Sequence, residues 1–333
     1  MRLTLSPKTM AQAAAMAAAL ALSVTACGSS DGSSGKDGAL SVGVFLPGSI
    51  NDTGFMQSGY EGFQRVQAKY GSRVDASHVE QVAAADYQQA LQRFASSNDL
   101  VISVGGQTDA DVRKVAPQFP DVKFVEIGGP SDAVPLPNLA YYDPQQAEAE
   151  FLSGAAAAAA SKTGKVGFVG GVELPAIVNA AKAFGNGARF ARPDVTVLAP
   201  QYVGDFNDPA KAKQAAGTAY AGGADVLGQI VNLGKQGIEQ AAKESGNRLH
   251  GGPIPGGCTD TAYAGFVRTD IGTEIEYAVS SVLDGSWKAA QVPFGVTTDK
   301  GGSDFIVCAS DPAVVGAVSE AKSAIVAGSA TPY

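Results

Sequence analysis

The sequence predicts an α/β protein of two doubly wound, parallel-sheet lobes, on three observations. Short apolar, β-rich runs alternate with amphipathic helical segments almost throughout, the pattern of parallel strands covered by helices on both faces. The alternation is interrupted by the proline-rich PSDAVPLPN at 130–138 and then restarts. The roughly 300 residues that remain after an N-terminal leader exceed one typical domain. Two such lobes joined by several chain crossings make a cleft, and open α/β sheets take ligands beyond the carboxyl ends of their strands.

In chain order, ALSVGVF (39–45) precedes a helix from about 54 to 70, and RVDASHVEQV precedes one near 86–97. LVISVGG (100–106) is followed by a helix at 108–116, and VKFVEIGG (122–129) closes a fourth unit. Beyond the prolines a helix is expected from about 144 to 160. Its AAAAAAS run (155–161) reads as tight helix packing. KVGFVGG (165–171), a helix near 175–191, VTVLAPQYV (195–203) and a helix near 209–221 follow. ADVLGQIV (224–231), a helix at 235–245 and HGGPIPGG complete this set. YAGFVRT, a helix at 270–284, VPFGVTT, DFIVCAS and a helix at 312–327 are too little for a third domain and are shared between the lobes. The expected division is 39–142 plus about 259–288 for the first lobe, and 143–258 plus about 289–333 for the second.

Residues 1–26 read as a secretory signal: Arg2 and Lys8 make a basic start, MAQAAAMAAALALSV a short apolar core. VTAC resembles the lipobox of bacterial lipoproteins, which marks Cys27 for lipidation. The Gly/Ser-rich stretch over 27–38 is a flexible tether. Together they describe a domain hung on a membrane surface in the cell envelope. Losing the leader removes two of the 24 basic residues and none of the 32 acidic ones, leaving a net charge of −10. That charge disfavours nucleic-acid partners, which need clustered Lys and Arg.

Enzyme signatures are missing. There is no dinucleotide fingerprint or phosphate loop and no nucleophile elbow. The two histidines, His78 and His250, lie far apart, without metal-ligand spacing. These absences favour binding over catalysis and imply no cofactor and no metal. After lipidation of Cys27 only Cys258 and Cys308 remain, which an oxidising compartment permits either as one disulfide or as two buried thiols.

The stretch FLPGSINDTGFMQSGYEGF (45–63) puts Asn51, Asp52 and Phe55 just after the first strand, at the mouth of the cleft. Asn51 or Asp52 could equally cap the following helix, and Phe55 could belong to the core. Asp208 in FNDPAK, with Pro209 behind it, reads as a cap.

Several longer runs carry a resemblance: NDTGFMQSGYEGF, DVRKVAPQFPDVKFVEIGG, SKTGKVGFVGGVELPAI, FNDPAKAKQAAGTAYAGGADVL and KQGIEQAAKESG. Over about residues 40–328 the chain resembles the basic membrane protein (BMP, PnrA-like) lipoproteins, solute-binding components of ABC importers. The resemblance implies a type I periplasmic-binding-protein fold, with permease and ATPase subunits as partners. It also implies a small ligand, most often a purine nucleoside, its base stacked on aromatic rings and its ribose held by carboxylates and amides. On that reading Phe55 is the stacking platform and Asp52 the hydrogen-bond acceptor. Gln107, Tyr142, Glu173 and Asn232 are expected from other strand ends, with Glu173 able to bind or to cap. Asp260 is the remaining carboxylate of the late second lobe, and Arg268 resembles the family's Lys on the returning strand. The chain departs from the family pattern at Met56, at Gly128 and in GGPIPGGC. A nucleobase, a flavin-like solute, or a sensor role are the alternatives.

Overall fold

The computed structural model describes residues 38–308 and 310–333; the leader, Cys27 and most of the tether lie outside the described residues. The chain runs β1 (Leu40–Leu46), α1 (Phe55–Tyr70), β2 (Val74–Glu80), α2 (Tyr87–Ala95), β3 (Leu100–Val104), α3 (Asp109–Val115), β4 (Lys123–Ile127) and β5 (Leu139–Asp143). It continues through α4 (Gln146–Ala160), β6 (Lys165–Gly170), α5 (Pro175–Ala191), β7 (Thr196–Val197), β8 (Gln201–Tyr202), α6 (Pro209–Ala221), β9 (Val226–Ile230), α7 (Lys235–Ser245) and β10 (Arg248–Gly251). Last come β11 (Tyr263–Thr269), α8 (Ile271–Leu283), β12 (Gln291–Pro293), β13 (Ser303–Val307) and α9 (Pro312–Val326).

The strands form two sheets. The first has the order β12-β5-β4-β3-β1-β2, every neighbouring pair parallel. The second has the order β13-β11-β10-β9-β6-β7, with β8 also on β6 and β13 antiparallel to β11. Strands covered on both faces cannot afford alternation, and all five residues of β3 are buried. In each sheet the order reverses once, between β1 and β3 and between β6 and β9. The loops leaving those strands splay apart there, which opens a crevice at each carboxyl edge.

Small residues set the helix contacts. A Cβ on Gly62 of α1 would strike the backbone of Gly272, so α8 can lie close against α1. Cβ atoms on Gly154 and Gly187 would strike the carbonyls of Phe184 and Phe151, which brings α4 and α5 into backbone contact. The alanine run is thus the tight packing its composition suggested. The Cys258 and Cys308 sulfurs are joined, their Cα atoms 5.2 Å apart across a separation of 50 residues.

Four expectations are corrected. β11 pairs with β10 in the second sheet, and β12 pairs with β5 in the first. The chain therefore returns to the first lobe near Ile271, not near 259, and leaves it again after Pro293. The expected strand at 195–203 is two short strands, since Pro200 between them has no N–H to give a ladder. β5 directly follows the proline run and was hidden by it.

Candidate functional site

Between the two carboxyl edges lies a cavity with about 120 Å³ open to water centres, well beyond the roughly 10–15 Å³ that one water needs. Gly48, Asp52 and Phe55 reach it from the loop after β1, and Gly105 to Gln107 from the loop after β3. Leu174 and Ile177 come from the turn after β6, and Asn232 follows β9. The two points where strand order reverses thus supply both walls.

The loop before α1 is built around Asp52, which is 1% exposed. Its Oδ1 accepts from the N–H groups of Gly54 (2.8 Å) and Gln57 (3.1 Å), and its Oδ2 from that of Met56 (3.2 Å). These are donors that a helix start leaves unpaired. Burial pushes the Asp52 carboxyl up, while the N–H groups of Gln57, Gly54 and Met56 and the charge of Lys235 pull it down. Lys235, itself lowered by burial, donates to the carbonyls of Thr53 (3.3 Å) and Gly252 (3.1 Å). It thereby spans the two lobes. Asn232 crosses too: its Oδ1 accepts from Phe55 N–H at 3.4 Å, and a Cβ on Gly54 would collide with it.

One aromatic ring comes from each lobe. Phe55 lies against Gly128, whose Cβ would sit 3.1 Å from the ring, and Phe206 lies against Gly171. Around them the lining is mostly apolar, with the amides of Gln107, Gln146, Asn207, Gln229 and Asn232 interspersed. Among the described residues Asp52 is the one ionisable side chain in it.

Of the residues the sequence nominated, Asp52, Phe55, Gln107 and Asn232 are brought together around this cavity. The others lie elsewhere. Asn51 is exposed on the outer side of the turn. Tyr142 is a core residue, 2% exposed, its ring 5.6 Å from that of Tyr277 and 5.4 Å from that of Phe294. At the turn after β6 Leu174 enters the cavity and Glu173 stays in solvent. Asp260 forms a 2.8 Å ion pair with Lys243. Arg268 points to solvent, because Val267 and Thr269 on either side face the cavity and a strand alternates. Asp208 caps α6, its Oδ1 3.0 Å from Lys211 N.

Phe206, Asn207 and Gln229 were missed. Phe206 carried a signal, an aromatic in the loop that leads from β8 to the cap at Asp208. Gln229 carried none, being one polar letter inside an apolar strand.

Fold and cavity together define a two-lobed, type I periplasmic-binding architecture. The structure is similar to a solute-binding protein of an ABC transporter system from Aeropyrum pernix, with a TM-score of 0.74 at 20% identity over 87% of this chain and 92% of that one. A solute-binding protein from Conexibacter woesei matches with a TM-score of 0.70 at 21% identity, over 88% of this chain and 98% of that one. At such identities the likeness speaks for the fold. The family is given by sequence: residues 39–251, more than half of the chain, match the Bmp family, and the chain belongs to these PnrA-like ABC transporter substrate-binding proteins. Basic membrane protein A2 of Borrelia garinii is 29% identical over 64% of this chain and 62% of its own length. Basic membrane protein D of Borreliella burgdorferi is 29% identical over 68% of this chain. The chain spans 65% of that protein, so both matches cover less than two thirds of the relative. A purine-binding protein of Brucella abortus is 29% identical over 77% of this chain and 73% of its own. Among the described residues no helix is long and apolar enough to cross a membrane.

Proposed function

We propose that this protein is the extracytoplasmic solute-binding component of an ABC importer and captures a purine nucleoside or a related small solute by closure of its lobes. The observation that carries the reading is the pair of rings, Phe55 and Phe206, contributed by opposite lobes to one cavity. A purine is flat and apolar on its faces, and each aromatic platform is worth about 1–3 kcal/mol by analogy with base stacking. Membership of the substrate-binding family and likeness to a protein described as purine-binding support it. Permease and ATPase subunits are the implied partners.

A lipid on Cys27 is the proposed anchor, supported by the basic start, the apolar core and VTAC. Cys27→Ser should then move the protein from the membrane fraction to the soluble one.

One observation favours a base without its sugar, or a flavin-like ring, as a second reading. Ribose hydroxyls want buried acceptors, and the Asp52 carboxylate in the lining is already engaged by three backbone N–H groups. Calorimetric titration of the domain with nucleosides, free bases and riboflavin separates these readings. Binding of none of them ends the proposal.

A further inference from the structure

Gln229 holds a polar atom that no other described residue uses. The residue stands on β9, lines the cavity and is 3% exposed. Its Oε1 accepts from the N–H of Val231 at 2.9 Å. That bond decides the orientation of the amide, since a flipped group would set its NH2 against another donor. The Nε2 is thereby turned away from Val231, and it has neither a hydrogen-bond partner nor meaningful contact with solvent. A buried donor without an acceptor is costly, and a ligand that supplies the acceptor recovers that cost on binding.

We propose that Gln229 is the specificity donor of the cavity, its Nε2 donating to a carbonyl oxygen or an unprotonated ring nitrogen of an uncharged, flat ligand. The assignment rests on the reading of this cavity as the solute site. The ligand's charge follows from the remaining lining. Asp52 is engaged by the N–H groups of Gly54, Met56 and Gln57. Lys235 is outside the lining and donates to the carbonyls of Thr53 and Gly252. A phosphate entering here would lose its hydration and find no free cation among the described residues of the lining to replace it. A neutral ring system keeps nearly all its contacts, and a site built around a donor rejects analogues that present another donor in its place.

The test is calorimetric titration of the disulfide-intact domain with inosine, adenosine, hypoxanthine, riboflavin and inosine monophosphate. Wild type is compared with Phe55→Ala, Gln229→Leu and Gln229→Glu. At least one uncharged probe should bind wild type, and the monophosphate should bind at least about a hundredfold more weakly than inosine. Gln229→Leu should weaken the bound probe about tenfold. Gln229→Glu keeps an acceptor for Val231 N–H but puts a carboxylate where the donor was. Its affinity should be poorest at neutral pH and recover as acidification returns a proton to that carboxyl. A packing role for Gln229 gives no such recovery, so this profile decides the matter even if Gln229→Leu does not fold. Both Gln229 variants binding like wild type while Phe55→Ala loses affinity would overturn the donor and leave the site standing. Equal affinity for inosine and its monophosphate would overturn the uncharged class. Unchanged affinity in all three variants, or no binding of any uncharged probe, would overturn the cavity reading together with the donor.

Discussion

The two lobes share one strand order and yet build their halves of the cavity from different chemistry. The first lobe brings a carboxylate, Asp52, and uses it up on the start of α1; what it shows to the cavity is a ring, a glycine-lined wall and the single amide of Gln107. The second brings amides and Phe206, and those amides are only partly committed. Asn232 reaches across to Phe55 N–H, while Gln229 is tied at one end and unpaired at the other. A carboxylate at a cleft mouth therefore says little about a ligand until its backbone bonds are counted. A half-tied amide says more.

The largest effect that would break this comparison is at Asp52. Asp52→Ala strands three helix-start donors and should lower the stability of the ligand-free domain by about 2 kcal/mol. Asp52→Asn, which retains one acceptor oxygen, should recover part of that. Urea unfolding without ligand measures both. If Asp52→Ala melts like wild type and only binding suffers, the carboxylate faces the ligand and the contrast between the lobes disappears.

Next in size is the ring of the second lobe. Phe206→Ala should weaken the bound solute by about 1–3 kcal/mol, as Phe55→Ala should. Stability ought to change little, because Phe206 sits on a loop at the cavity rim. Titration of the two single variants and the double variant shows whether the rings act on one ligand. Strict additivity would argue that they do not share it.

The last effect is read as a slope, and it contrasts Asp52, held by three backbone N–H groups, with a buried carboxylate that has no backbone donor among its described neighbours. Glu150 on α4 is fully buried, and burial pushes its carboxyl from 4.5 up to about 8 while the nearby Ser153 hydroxyl pulls it down. Its folded value lies above its unfolded one, so the stability it contributes is whole below 4.5 and drains away as pH rises toward about 8. Glu150→Gln should flatten the decline of melting temperature across that window and change little near its acid end. An unaltered slope would mean that Glu150 finds a partner as the pH rises.

Much of the frame was legible because periodicity is a local property. The helices at 175–191 and 235–245 and the strand at 263–269 were readable to the residue, the helices from apolar spacing with Gly or Pro at their ends and the strand from its run of β-forming residues. Phe55 and Asn232 were legible as residues that line the cavity for a topological reason: each follows a strand at the point where strand order reverses. Tyr142, Glu173 and Arg268 were misread because a strand end says where a backbone goes and not which way a side chain turns. One residue of register separates Arg268 in solvent from Thr269 in the cavity.

The sequence by itself determined the alternation of strands and helices, the two lobes, the helix cap at Asp208 and the tight packing around the alanine run. Each follows from residues near one another in the chain. Only the tertiary structure decided which sheet receives β11 and β12, that Asp52 is engaged within its own loop, and that Phe206 and Gln229 meet Phe55 around one cavity. Those outcomes depend on which donors and acceptors remain unpaired after two distant carboxyl edges are brought together. That remainder exists only in the folded chain.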